Sequence, residues 1–351
     1  VAGQHTILAL EPWYAGSHKD FLNGLITHSG HHIHPLTLPG RFWKWRQTGS
    51  GMILAERALA DEHLLKNPPE LIFASDFLNL PDFLALTRQR WPSIPSVLYF
   101  HENQLAYPLQ SDHKLDLAYA QANLSGAAVA TQVWFNSPFH RDAFFDGLDI
   151  LLSACPDFAP KRLVDDIRNK SSVMPLGVDL KGLQKANVAP ETTMATPTDM
   201  AAGTHTKNTS TDMAAETHTK NTSISTAAGT HLKIIWNHRW EHDKNPEDVF
   251  AALCDLDEAG HDFELIVTGQ RFSRAPKVFE QAKQRLSAHI THWGYVEDRE
   301  QYAKLLNRAD VVVSLAHHDF FGVSVVEAMA MGCLPLLVER LNYPNLVPPK
   351  H

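Results

Sequence analysis

The sequence predicts an α/β protein built of two Rossmann-like domains that face each other across a cleft. Three observations support this. Short apolar runs recur along the chain, each followed by a polar turn and a helix-like stretch, which is the rhythm of a parallel sheet with helices on both faces. A tract of Thr, Ala, Asn, Ser and His from Asn187 to Thr230 interrupts that rhythm and splits the chain in two. The 351 residues also exceed what one core usually supports, so two domains of about 150–200 residues are the default.

The elements follow in order. Thr6 to Leu10 is a buried strand, Glu11 to Asp20 a turn rich in small residues, and Phe21 to Ile26 part of a helix. Leu71–Ser75, Val97–Phe100 and Val133–Asn136 repeat the strand signal, which gives a first domain over residues 1–178. Thr198–Ser210 is then duplicated as Thr211–Ser223, with a decayed third copy from Ile224. These units lack the apolar face that a solenoid stacks, so residues 179–231 are expected to be a flexible linker. Strands resume at Leu232–Trp236, Phe263–Val267, His289–Trp293, Val311–Ser314 and Leu334–Val338, which gives a second domain over 232–351. The chain stops at Pro348-Pro-Lys-His351, where a doubly wound domain adds its last helix. That helix is expected to be missing, and the absent initiator Met points to a fragment or a processed start.

Composition excludes several classes. With 44% hydrophobic and 20% charged residues the chain is globular rather than disordered. Cys155, Cys254 and Cys333 lie too far apart for a disulfide framework or a zinc knuckle and fit a reducing cytosol. No apolar run approaches the ~20 residues of a membrane span, and Val1 to Leu10 is not a signal peptide, so a cytoplasmic, non-membrane protein is expected. A formal charge of −8 argues against steering to polyanions by bulk charge, so a nucleic-acid partner must be met by a local patch. His31, His32 and His34 carry no carboxylates at ligand spacing and are read as surface or core residues rather than metal ligands.

The sharpest chemical signal is Asp319-Phe-Phe-Gly-Val-Ser-Val-Val-Glu327, after the Val311–Ser314 strand. A helix N-terminus beginning at Gly322 and Val323 presents partial positive charge to phosphate, and a carboxylate such as Glu327 can accept hydrogen bonds from ribose hydroxyls. Earlier in the same half, Arg239 and Lys244 project from one loop after a strand, a spacing suited to a diphosphate. The bland alternatives are a solvated Glu327 on an amphipathic helix and two surface cations beside Glu241 and Asp243. In the first half Arg41-Phe-Trp43-Lys44-Trp45-Arg46 alternates cations and aromatics in a turn after Pro39-Gly40. The cations can meet phosphates while the indoles stack on unpaired bases, which suits a single-stranded loop better than a duplex. The alternative is that Trp43 and Trp45 pack into the cleft and the cations cap a helix. Gly16 and Ser17 can bring backbone close to a donor phosphate.

Gly16-Ser-His-Lys-Asp20, Phe42-Trp-Lys-Trp-Arg46, Phe100-His-Glu-Asn-Gln-Leu-Ala-Tyr-Pro108, Phe135-Asn-Ser137, Met174-Pro-Leu-Gly-Val-Asp179 and His318-Asp-Phe-Phe-Gly322 together resemble the tRNA-queuosine mannosyltransferase family, which has the retaining GT-B fold. The resemblance implies transfer of mannose from GDP-mannose to the cyclopentene-diol of queuosine in the anticodon of tRNA-Asp, with the anomeric configuration retained. It places Arg239 and Lys244 on the diphosphate, Glu327 on the ribose, the Gly322 and Val323 N–H groups on phosphate, and Asp319 and His101 beside the sugar. Asp319 is one methylene shorter than the family's usual Glu. The leaving phosphate itself would accept the acceptor's proton while the protein positions and stabilises. The donor sugar nucleotide and the tRNA anticodon loop are then the partners, with no DNA and no membrane. Because Arg239 and Lys244 neutralise the diphosphate, no cofactor or metal is expected and activity should persist in chelator. Asp255-Leu-Asp257 falls at a helix end and is read as chance. Transfer to a different acceptor, or non-catalytic binding of a sugar nucleotide or tRNA, remain open at this point.

Overall fold

The structure, a computed structural model, describes residues 3–106, 117–188, 231–272 and 275–347. The tandem repeat and the pair Tyr107-Pro108 of the motif that starts at Phe100 lie outside them. The first half runs β1 (Thr6–Tyr14), α1 (Gly16–His28), β2 (His32–Pro39), α2 (Trp43–Ala60), α3 (Glu62–Lys66), β3 (Leu71–Ser75), α4 (Leu80–Thr87), β4 (Ser96–Phe100), α5 (Leu117–Val129), β5 (Gln132–Phe135), α6 (Pro138–Ser153), α7 (Lys161–Asn169), β6 (Ser171–Val173) and α8 (Leu180–Val188). The second runs β7 (Leu232–Trp236), α9 (Pro246–Glu258), β8 (Phe263–Val267), α10 (Val278–Arg285), β9 (Ile290–Trp293), α11 (Arg299–Arg308), β10 (Val311–Ser314), α12 (Val323–Ala330), β11 (Leu334–Leu337) and α13 (Tyr343–Leu346).

Two parallel sheets result. One has six strands in the order β2-β1-β3-β4-β5-β6, the other five in the order β11-β10-β7-β8-β9. Central strands such as β4 are buried along their whole length because helices cover both faces, which is why they read as unbroken apolar runs. Leu8, Leu54, Phe83, Leu98, Phe135 and Phe144 meet in the first core. The second sheet has one core on each face, around Trp236 and Phe279 and around Ile235 and Leu306. Among the described residues no helix is long and apolar enough to cross a membrane.

Local chemistry sets the helix starts that point at the cleft. Ser137 accepts a hydrogen bond from the His140 amide at 3.0 Å, with Pro138 in the first turn of α6. Pro246 likewise opens α9, followed by Glu247 and Asp248 on its positive end. Strand order reverses between β1 and β3 in one sheet and between β7 and β10 in the other. At such a switch point the loops leave in opposite directions and open a crevice at the carboxyl ends of the strands.

The stretch expected as linker begins with structure. Residues Leu180–Val188 form α8, and its Leu183 is fully buried with Ile235, Ile266, Ala303 and Leu306 of the second half. The apolar side of this helix belongs to the second domain's core. Leu183→Ala should therefore cost about 2–4 kcal/mol, read as a lower melting temperature. An unchanged melting temperature would show that α8 does not dock.

Candidate active site

The loop after β7 and the loop after β10 are tied together at the second switch point. The amides of His317 and His318 donate to Asp243 O at 2.8 and 3.1 Å, and Asn245 Nδ2 donates to Leu315 O. Gly269, with φ of 147°, packs beneath this loop where a Cβ would come 1.7 Å from His238 O, so no other residue fits there without moving the backbone before Arg239. Lys244 is 7% exposed, and its Nζ donates to His318 O at 2.6 Å while lying 3.3 Å from Asp243 Oδ2 and 3.5 Å from Asp319 Oδ2. Arg239, half-exposed, sits 3.1 Å from Glu241 Oε2 and 3.9 Å from Asp243 Oδ2.

Asp319 has a second task. Its Oδ1 accepts from the amides of Gly322 at 2.8 Å and Phe321 at 3.3 Å, holding the left-handed turn at Gly322 (φ 94°) that leads into α12. The Gly322 N–H, expected to face phosphate, donates to Asp319 in this structure. Val323 opens the helix. Glu327 is buried rather than solvated: Oε1 accepts from Arg299 at 3.1 Å and Oε2 from the Tyr302 hydroxyl at 3.0 Å. Asn237 bridges Tyr302 and Ser324 O, so the end of β7 reaches the α12 carboxylate through two bonds. Burial lifts the Glu327 carboxyl above its ordinary value against the pull of Arg299. Burial also works upward on Asp319, but Lys244, with His238 and His318, holds it below the usual range. Burial, reinforced by Lys244, keeps His238 and His318 neutral with values of about 4.

The first half meets this site through Phe320. Its ring stacks on His140 with centroids 3.9 Å apart, and its carbonyl accepts from Ser137 Oγ at 2.5 Å. His140 Nδ1 bonds Asn136, whose Nδ2 donates to His101 O at 2.9 Å. His101 is therefore linked to the residue beside Asp319 through three side chains. Glu102 feels the charge of Arg239 and Asp20 feeds into the field at Glu327, so the loop after β4 and the first turn of α1, which carries exposed Gly16 and Ser17, both face the second domain.

Trp43 to Arg46 lie not in a turn but in the first turn of α2, behind Phe42 with φ of 57°. Gly40 packs on Trp13 and Ala15, which sets Arg41 and the ring cluster beside the start of α1. Trp43 leans on Tyr119, whereas Phe42 and Trp45 are more than half exposed. Arg46 departs from expectation: it is buried, with Nε donating to Pro39 O, so it holds the loop rather than meeting a partner. Sequence reading also missed Arg299, Tyr302 and Asn237, and the buried Glu11, His18 and Asp76 that stand around His101 at the first switch point. Most of the contacts that define them join residues tens of positions apart, which leaves little local pattern to find.

Two facing parallel-sheet domains, with cations and carboxylates converging at the carboxyl ends of β7 and β10, define a GT-B glycosyltransferase. Solved structures agree on the fold. Sucrose-phosphate synthase from Thermosynechococcus elongatus aligns with a TM-score of 0.63 at 14% identity over 99% of this chain and 84% of that one. A glycosyltransferase from Rickettsia africae gives 0.59 at 14% over 99% and 82%. Sequence comparison is more specific. The tRNA-queuosine alpha-mannosyltransferase N-terminal model matches residues 6–178, and the glycosyl transferases group 1 model residues 219–349. A Drosophila melanogaster tRNA-queuosine alpha-mannosyltransferase is 31% identical over 97% of this chain and 81% of its own length. The chain belongs to the tRNA-queuosine alpha-mannosyltransferase family. A GDP-mannose-dependent alpha-(1-6)-phosphatidylinositol dimannoside mannosyltransferase of Mycobacterium tuberculosis is 33% identical over a shorter stretch, 29% of this chain and 25% of that protein.

Lys244→Ala leaves Asp319 without its cation and Asp243 with Arg239 alone, at 3.9 Å. In the parent, the depressed Asp319 value gives stability that is complete above its ordinary 3.8 and is lost as pH falls through the lower folded value. Without Lys244 burial raises that carboxyl, and the sign reverses. The variant should lose about 3–5 kcal/mol near neutral pH and recover part of it near pH ~5, measured by thermal melts. A loss equal at both pH values contradicts the ion-pair account.

Proposed function

We propose that this chain transfers mannose from GDP-mannose to queuosine at the anticodon of tRNA-Asp, with retention and without metal at the diphosphate. The observation that carries the reading is the meeting of Lys244 with Asp319 between the loops after β7 and β10, with Arg239 on the first loop and Glu327 on the helix that follows the second, in a chain of this family. The name of the Drosophila relative supports the acceptor, and that of the Mycobacterium relative supports the donor.

Arg239 offers a planar fork to one phosphate and the Lys244 ammonium a point charge to the other. Lys244 reaches the diphosphate by exchanging its contacts with Asp243 and Asp319, each longer than 3.2 Å, while keeping His318 O. The N-terminus of α12 at Val323 adds partial positive charge. Glu327 has one remaining lone pair on each oxygen for the ribose hydroxyls, and Arg299 and Tyr302 hold it in place. Asp319 Oδ2 and His101 face the sugar. The departing phosphate accepts the proton of the attacking hydroxyl, which returns the bond to the face it left, and the two cations take up the charge that develops. Gly16 and Ser17 close over the donor from the first half. Phe42, Trp43 and Trp45 stack on unpaired bases, and Arg41 and Lys44 meet their phosphates.

The test is incorporation of label from radiolabelled GDP-mannose into queuosine-containing tRNA-Asp, with release of the label by an α-specific mannosidase. Labelling of tRNA lacking queuosine, or none with intact substrate, contradicts the proposal. Arg239→Ala should lower kcat/KM for the donor by about 100-fold. Trp45→Ala should raise KM for tRNA by about tenfold and leave donor KM unchanged; equal effects on both substrates would remove the aromatic cluster from the acceptor site. Transfer should proceed in brief EDTA and gain less than about twofold from added Mg2+ or Mn2+, and strict dependence on either ion overturns the metal-free diphosphate.

A further inference from the structure

Between β11 and α13 the chain makes a tight turn against the loop that follows β10. The Tyr343 amide closes it by donating to Arg340 O at 3.3 Å, with Leu341 in second place at a φ of 61°. Glycine, asparagine or aspartate normally fill that place, because a larger side chain there crowds its own backbone. We propose that Arg340 and Asn342, on either side of this leucine, are positioning residues for glycosyl transfer: they hold the two ends of the 315–321 loop and thereby place Asp319.

Backbone carbonyls in an irregular, poorly solvated loop need donors from other elements. Lys244 serves His318 O and Ser137 serves Phe320 O. Arg340 takes the start of the loop: Nε donates to Ala316 O at 3.0 Å, and Nη2 to Leu315 O at 2.9 Å and to His317 Nδ1 at 3.1 Å. Asn342, 2% exposed, takes its end, with Nδ2 donating to Phe321 O at 2.9 Å. Asp319 stands between these two grips, and its Oδ1 closes on the amides of Phe321 and Gly322. A shift of Phe321 therefore carries the Asp319 carboxylate with it. The neighbours of the two donors fill the space beneath. Leu341 packs with Ala316 of the loop, Val325 of α12 and Tyr343, which is what keeps a leucine in so strained a conformation. The Tyr343 and Ser314 hydroxyls share a hydrogen bond at 2.7 Å, and a Cβ at Gly322 would come 3.0 Å from Leu346 and 3.3 Å from Tyr343. The inference deepens the proposed reaction and rests on it for the place of Asp319 beside the sugar. Holding this loop in one geometry then acts on the reacting sugar, while Arg239 and Lys244 hold the diphosphate from the other loop.

The test uses the full chain and two variants that keep size but lose the donors, Asn342→Asp and Arg340→Met. Each should lower kcat for mannose transfer by about 10- to 100-fold and change the donor and tRNA KM by less than about threefold. Arg340→Lys, which can still donate to the loop carbonyls, should recover most of the loss. Hydrogen exchange supplies a readout that does not depend on activity: the amides of residues 317–322 should exchange at least about tenfold faster in both variants, while β7 and β8 stay as protected as in the parent. Unchanged kcat, unchanged exchange of the loop, or faster exchange across the whole second domain overturns the proposal. A parent chain that labels no tRNA contradicts the acceptor reading instead, and the exchange of residues 317–322 then decides the inference.

Discussion

A buried ammonium holds the second domain's crevice together. Lys244 comes from the loop after β7, yet its Nζ is spent on the loop after β10, on His318 O and the Asp319 carboxylate. Coulomb attraction in a poorly solvated site fixes the spacing of two loops that are otherwise joined by backbone bonds and the Asn245 side chain. The cost of burying three charges is met by that geometry, and it leaves Lys244 and Asp319 in reach of the same ligand. In the proposed reading a diphosphate entering here would meet a cation already desolvated and oriented, the condition under which electrostatic stabilisation is strongest.

From that anchor the cleft follows. Asp319 holds the turn at Gly322, the turn aims α12, and α12 carries Glu327 to Arg299 and Tyr302. Phe320, between Asp319 and that turn, stacks on His140 of the first domain. The loop that carries Asp319 therefore also joins the two halves, through the His140 ring and the Ser137 hydroxyl.

Much of this was legible in the sequence, and the gaps have physical causes. Central strands announce themselves because helices cover both faces and every position is apolar. The two strands that went unread, β2 and β6, are the edges of the six-stranded sheet, where His32, His34 and Pro35 or Ser171 and Ser172 are tolerated because one side meets solvent. Asp319, Glu327, Arg239 and Lys244 were visible because each pair shares a loop or a helix start. Arg299, Tyr302 and Asn237 were not, since they join Glu327 only after β7, α11 and α12 pack. Arg46 was misread for a related reason: alternation of cations and rings looks like a surface in one dimension, but the helical turn from Trp43 rotates the fourth residue inward.

The most direct measurement of the central claim is a structure of the chain with GDP-mannose bound. The account predicts phosphate oxygens within hydrogen-bond distance of the Arg239 guanidinium and Lys244 Nζ, the ribose hydroxyls on Glu327, and the mannose toward Asp319 and His101. A diphosphate bound elsewhere, with the Lys244–Asp319 pair undisturbed and Glu327 touching no part of the nucleotide, would contradict it.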